Sequence, residues 1–236
     1  ELLNLITKKM KKNKVFKENL TSKLLQKETL IILRKLKKKD ICEIGCGDGN
    51  ISNYLIKNQA NKHHYFLSDI SELAIKHAKK NIKYDKITFK VGSLFVPWRE
   101  KKFDIIISDV SSLSQVVANK SPWYQGVKSN CGIDGLKNVD KIIKQLDKNL
   151  KPNGIFIIPL ISLSSTDQLK KVLKLKFKDY RETKKIYWPI PIFFKKNINL
   201  FDKLLKKKII YYQEKFGTYL AYTSVAICKK MKGKNA

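Results

Sequence analysis

The chain has 236 residues, 43% of them hydrophobic, with 50 Lys and Arg against 20 Asp and Glu, a net charge of +30. That length suits one large domain, or one with a small appendage, and supplies enough apolar material for a full core. No stretch approaches the roughly 18 uninterrupted apolar residues of a membrane-spanning helix.

Residues 18–38 place Leu24, Leu25, Leu30, Ile31, Ile32, Leu33 and Leu36 at helical spacing, with Thr21 or Ser22 as the N-cap. After a lysine run the period changes: Ile41 to Ile44 reads as a short strand ending at Gly45, and Ile51, Tyr54, Leu55 and Ile56 resume a helical stripe. Tyr65-Phe66-Leu67 is a strand, Ser71 to Ile82 a helix capped by Ser71, Ile87 to Val91 a strand and Phe103 to Ser108 a strongly apolar strand. A helix over 136–150 stops at K-P-N-G, and Ile155 to Leu160 is another buried strand. Apolar strands alternating with amphipathic helices predict an α/β, Rossmann-like doubly wound sheet, mostly parallel. The pattern then loosens into a helix near 166–175, an extended stretch at 180–194, a helix-like segment at 199–209 and an alternating, antiparallel last strand, Tyr219 to Cys228. The expected organisation is an N-terminal helical segment 1–39, a domain 40–228 with 180–210 as a substrate-side insertion, and a disordered basic tail 229–236.

The first strand runs into E-I-G-C-G-D-G, which holds Glu43, Gly45, Gly47 and Gly49; Asp69 closes the second strand. A dinucleotide fold would space its glycines G-x-G-x-x-G and set a pyrophosphate on the helix that follows. Here the spacing is G-x-G-x-G, and the acid ahead of it would repel a pyrophosphate but suits an ammonium group. An acid after the second strand can accept from both hydroxyls of a ribose. A ligand with a ribose and a cationic amino-acid end is S-adenosylmethionine.

On these residues the chain resembles the class I S-adenosylmethionine-dependent methyltransferases, over about residues 21–160. Within that class it is most similar to the HemK-like group, the release-factor glutamine methyltransferases and their relatives. V-G-S-L-F at 91–95 is similar to the group's G-D-L-F, F-D-I-I-I-S at 103–108 to F-D-L-I-V-S, C-G-I-D-G-L at 131–136 to G-G-x-D-G-L, and L-K-P-N-G at 150–154 to L-K-P-G-G. The resemblance implies a cofactor site of Glu43, Gly45, Gly47, Gly49, Asp69, Ile70, Ser93, Leu94 and Ser108, with Ser93 standing where the group has an acid at the adenine edge.

The group's reactive N-P-P-Y loop is D-V-S-S here, from Asp109 to Ser112. Asp109 can still accept a hydrogen bond from an NH2 donor, and is the candidate to orient or deprotonate the nucleophile at the C-terminal end of the fourth strand. Ser108, Ser111 and Ser112 would shape the mouth, and Trp123 and Tyr124 of S-P-W-Y would supply the missing aromatic wall or simply pin a loop. Without the prolines and the aromatic residue, weight moves toward a small molecule or an unusual acceptor beside a protein side chain or RNA. Two alternatives stay open: a cyclase or lyase that consumes S-adenosylmethionine alone, and an inactive basic module that binds RNA or the ribosome. The residues ahead of the first strand are also too few for the group's separate N-terminal helical domain.

The remaining composition is less specific. The four cysteines, Cys42, Cys46, Cys131 and Cys228, lack C-x-x-C pairing or neighbouring histidines, which predicts reduced thiols, no metal and a cytoplasmic protein. The N-terminus has no signal-peptide order and starts without Met, as a trimmed chain would. The charge excess favours nucleic acid or the ribosome as a partner. Against this, only Arg34, Arg99 and Arg181 among the 50 cations are arginines, which also fits compositional drift in an A/T-rich genome.

Overall fold

The computed structural model describes residues 19–110, 112–124 and 130–231; Ser111, the side chain of Tyr124 and residues 232–236 of the expected tail lie outside it. Residues 1–18 of the expected N-terminal helical segment also lie outside the described residues, which begin with helix α1 (Leu20–Arg34). Its cap is Asn19, whose Oδ1 accepts from the Ser22 N–H at 3.1 Å, and not Thr21 or Ser22 as the sequence suggests. Both of those residues lie inside the first turn and are buried. The reason is the apolar stripe: turning Leu24, Leu25 and Leu33 inward starts the helix early and carries the two hydroxyls toward the sheet.

Strand β1 (Asp40–Ile44) leads into α2 (Asn50–Lys57), β2 (His64–Asp69) into α3 (Glu72–Asn81), then β3 (Ile87–Val91). Ser71 caps α3 as expected, accepting from the Ala74 N–H at 3.2 Å. The chain then returns through β4 (Phe103–Ser108), the short α4 (Gln115–Lys120), α5 (Lys137–Asn149) and β5 (Leu150–Ile161). K-P-N-G ends α5 but does not separate it from the strand; it bulges within β5, whose register against β4 jumps from Phe103–Leu150 to Ile105–Ile155.

Helix α6 (Thr166–Lys176) and β6 (Phe177–Glu182) are followed by β7 (Ile186–Pro189), α7 (Ile198–Lys206), β8 (Gln213–Lys215) and the long β9 (Thr218–Met231). The strand order is β3-β2-β1-β4-β5-β9-β6. β1 to β5 run parallel, and β9 is antiparallel to both β5 and β6. β9 continues past the expected end at Cys228: Lys229 pairs with Ile155 on one side and Asp179 on the other. Its other end projects beyond the C-terminal end of β5, where residues 218–223 pair with β7 and β8.

Side chains alternate across the sheet with the two-residue period of a strand. Ile105 and Ile107 face a core with Leu25, Leu33, Ile51, Leu55 and Ile75 from α1, α2 and α3. Ile106 faces the opposite layer, with Val139, Ile142 and Leu146 of α5 and Leu169 and Leu173 of α6. A third cluster joins Leu113 and Val117 of the β4–α4 region to Phe194, Phe201, Ile210, Tyr212 and Ala221. The segment 183–217 thus caps the sheet on the side of its strand C-termini. Among the described residues, no helix is long and apolar enough to cross a membrane.

Candidate functional site

The chain runs outward from β1 to β3 and then crosses back to β4, so β1 and β4 are neighbours, with Ile44 opposite Ser108. Between strands whose connections leave in opposite directions a crevice opens at the C-terminal ends, where open α/β sheets take their ligands. Glu43, the glycine turn, Asp69 and Asp109 all belong to that edge.

The turn after β1 is fastened to β2. The N–H groups of Gly45 and Cys46 both donate to Ser68 O, at 2.9 and 3.1 Å, and the Gly49 N–H donates to Cys46 O at 2.9 Å. Gly45 has φ +73° and Gly49 φ +80°, left-handed backbone that disfavours any side chain. Space is tight too: a Cβ on Gly45 would lie 3.2 Å from the backbone at Val110 Cα, and one on Gly49 would lie 2.7 Å from Ile82 Cδ1, the movable end of a side chain. Asp69 ties the arrangement together, its Oδ2 accepting from the Gly47 N–H at 3.0 Å and its Oδ1 from the Ser71 N–H at 2.8 Å. Each carboxylate oxygen keeps a further lone pair for a ligand hydroxyl. Beside it Ile70 is 75% exposed, a large apolar side chain at the rim of the cleft. Ser93 is exposed and Leu94 half-buried with φ +50° on the next loop, which the Gly92 N–H anchors to Asp69 O at 2.9 Å.

Glu43 is fully buried. Its Oε2 accepts from the Ser52 N–H at 3.2 Å and from the Ser52 hydroxyl, while Oε1 has no partner among the described residues. Burial pushes its carboxyl up to about 8, the Asp109 and Asp48 charges add to this, and the Ser52 hydrogen bonds oppose it. An orphaned buried carboxylate oxygen beside a turn with left-handed glycines fits a ligand carrying a positive charge on a nucleoside.

Asp109 leaves β4 with its N–H donating to Ile44 O at 3.2 Å. Its Oδ2 accepts from the Ser22 hydroxyl of α1 at 3.1 Å. Burial raises its carboxyl to about 7, with the Ser22 bond opposing. The Ser108 hydroxyl is buried without a partner among the described residues, as is that of Ser114. Ser112 is buried in the loop that follows. That loop is braced by C-G-I-D-G: a Cβ on Gly135 would meet Ser112 O and Ser164 Cβ at 2.8 Å each, and the Gln115 N–H donates to Gly132 O at 2.9 Å. Trp123 packs edge-on against Trp188 and Phe193, with centroids 5.6 and 5.5 Å apart, so it joins the β4 loop to the 183–217 segment.

Sequence reasoning missed two residues. Ser52 leaves a weak trace, a small hydroxyl residue one turn into the helix after the glycines. Ser22 leaves none as a partner of Asp109, from which 87 positions separate it.

A family model described as a methyltransferase domain matches residues 35–223. Over 154 residues the chain is 31% identical to a relative from Methanocaldococcus jannaschii named as a protein N5-glutamine methyltransferase, covering 63% of this chain and 76% of the relative. Over 145 residues it is 31% identical to the release factor glutamine methyltransferase of Borreliella burgdorferi, covering 57% of this chain and 49%, about half, of that one. Among solved structures, the YcgJ protein of Bacillus subtilis shares the fold with a TM-score of 0.57 at 12% identity, over 89% of this chain and 99% of that one. The chain therefore belongs to the methyltransferase-domain family, and it is an S-adenosylmethionine-dependent methyltransferase of the class I fold.

Proposed function

We propose that the protein methylates a side-chain amide nitrogen, a glutamine of a protein substrate, and that Asp109 serves that nitrogen. Glu43, the turn Gly45–Gly49, Asp69 and Ile70 hold the cofactor: Glu43 Oε1 takes the ammonium, Asp69 the ribose hydroxyls, and Ile70 covers one face of the base. Bound S-adenosylmethionine supplies a methyl group already activated by its sulfonium. The protein's work is then placement and proton handling. Asp109 accepts a hydrogen bond from the acceptor NH2 and orients its nitrogen toward the methyl. As the N–C bond forms and the C–S bond breaks, the surplus proton on nitrogen passes to the Asp109 carboxylate. The unpartnered Ser108 hydroxyl is available to the amide carbonyl.

The observation that carries this reading is the place of Asp109, fixed at the β1–β4 edge by its backbone bond to Ile44 O and by Ser22. The two glutamine-modifying relatives support the amide as the acceptor class. The D-V-S-S loop keeps the hydrogen-bond acceptor of N-P-P-Y and gives up its aromatic lid. The test is incubation with methyl-labelled S-adenosylmethionine and a peptide release factor, followed by peptide mass spectrometry. Label on a glutamine, lost when that residue is Glu, is the expected result. Label only on free small molecules or RNA from a cell extract would overturn the amide reading.

A further inference from the structure

Ser22 sits in the first turn of α1, is 5% exposed, and has its backbone N–H already satisfied by Asn19. Its hydroxyl is therefore not needed for capping, and it crosses to Asp109 Oδ2 instead. The turn that presents it is the positive end of the helix, which favours a carboxylate over a carboxylic acid nearby. From β1 the buried Glu43 carboxyl acts in the opposite sense on this space, and Asp48 in the glycine turn adds to the negative charge around Glu43. No cation makes an ion pair with Asp109 among the described residues; the Ser22 hydrogen bond favours its ionised form against burial.

We propose that Ser22 is a positioning residue for Asp109: its hydroxyl fixes one carboxylate oxygen and leaves the other facing the methyl acceptor, so that α1 is part of the reactive centre. This rests on the reading of Asp109 given above. With the Oδ2 bond in place the carboxylate cannot rotate freely, and the acceptor NH2 meets Oδ1 in one orientation. Loss of the hydroxyl leaves a buried carboxylate without that donor, which shifts it toward the protonated form, unable to take the surplus proton from nitrogen.

The experiment compares S22T, which keeps the hydroxyl, with S22V, its near-isostere without one, and with S22A. Two quantities are read: the pH profile of methyl transfer in a single turnover, and the midpoint of the Asp109 carboxyl by carbon NMR in the acceptor-free protein. In S22V and S22A both should move up by about one pH unit, a tenfold change in the ionisation constant. S22T should restore both, and cofactor affinity should stay within about twofold of the parent. Unmoved midpoints in S22V and S22A overturn the role of Ser22. A moved midpoint with an unmoved rate profile shows that the Ser22 bond acts on Asp109 but that Asp109 takes no part in transfer; it overturns the reading of Asp109, and the positioning role with it. Since Thr and Val differ here only in the hydroxyl, folding losses from size are shared and cancel.

Discussion

The two halves of the cleft are built differently. On the β1–β2 side the polar groups have fixed partners: Ser68 O takes two turn N–H groups, Asp69 takes two more, and the Ser68 hydroxyl accepts from Trp98 Nε1 at 3.0 Å. There Glu43 Oε1 is a buried side-chain atom left without a partner among the described residues. On the β4–β5 side, Ser108, Ser114 and Thr223 have buried hydroxyls, and Trp188 an indole N–H, without partners among the described residues. The wall there is an aromatic cluster in which Phe194 stacks on Phe201 at 4.3 Å and meets Tyr212 edge-on at 4.7 Å. A side that holds an unchanging ligand can satisfy everything but the atoms meant for it. On the proposed reading, a side that takes the acceptor keeps several groups in reserve.

The comparison breaks first at Asp109. Asp109→Ala should lower the rate of methyl transfer by about 10²- to 10⁴-fold while leaving cofactor affinity within about twofold, measured by single turnover and calorimetry. Similar losses in both would mean that the halves are one site. Next comes the aromatic cap: Phe194→Ala should cost about 3–5 kcal/mol, read by denaturant unfolding, and should depress acceptor turnover while the cofactor still binds.

The pH dependence sharpens the contrast at Glu43. Its folded value, about 8, lies above the ordinary 4.5, and that of Asp109, about 7, above 3.8. Between those limits the folded chain holds more protons than the unfolded one. The stability contributed is full below about 4 and is lost as pH rises through 7 and 8. The cofactor-free protein should therefore lose roughly 3 kcal/mol between pH 6.5 and 8.5, about two thirds of it from Glu43. Glu43→Gln should flatten that slope and weaken cofactor binding; thermal unfolding at several pH values checks the first. The smallest effect is expected from Gly49→Ala, about 1–2 kcal/mol, because its φ of +80° strains any side chain while Ile82 Cδ1 can give way.

The glycine turn after β1 was legible because its signals are local. A turn that must reverse within five residues demands glycines at fixed spacing, and Asp69 sits at the end of an apolar strand; both can be read without knowing any partner. The doubly wound sheet followed from strand and helix periods for the same reason. The cap of α1 was misplaced because Asn19, Thr21 and Ser22 are all good caps, and the burial of Leu24 and Leu25 decides among them. The continuation of β9 through Lys229 depends on pairing with Ile155 and Asp179, which a lysine-rich tail does not advertise. The 183–217 segment looked irregular because its short elements are ordered by Leu113, Val117 and Ala221, all distant in sequence.

Titration of S-adenosylhomocysteine into the parent protein and into Asp69→Ala by calorimetry tests the central claim most directly. Saturable binding at one site per chain, weakened by about 100-fold or more in the variant, is the expected result. Equal binding by both proteins, or no heat from either, would contradict a cofactor cradle built from the glycine turn and its neighbouring carboxylate.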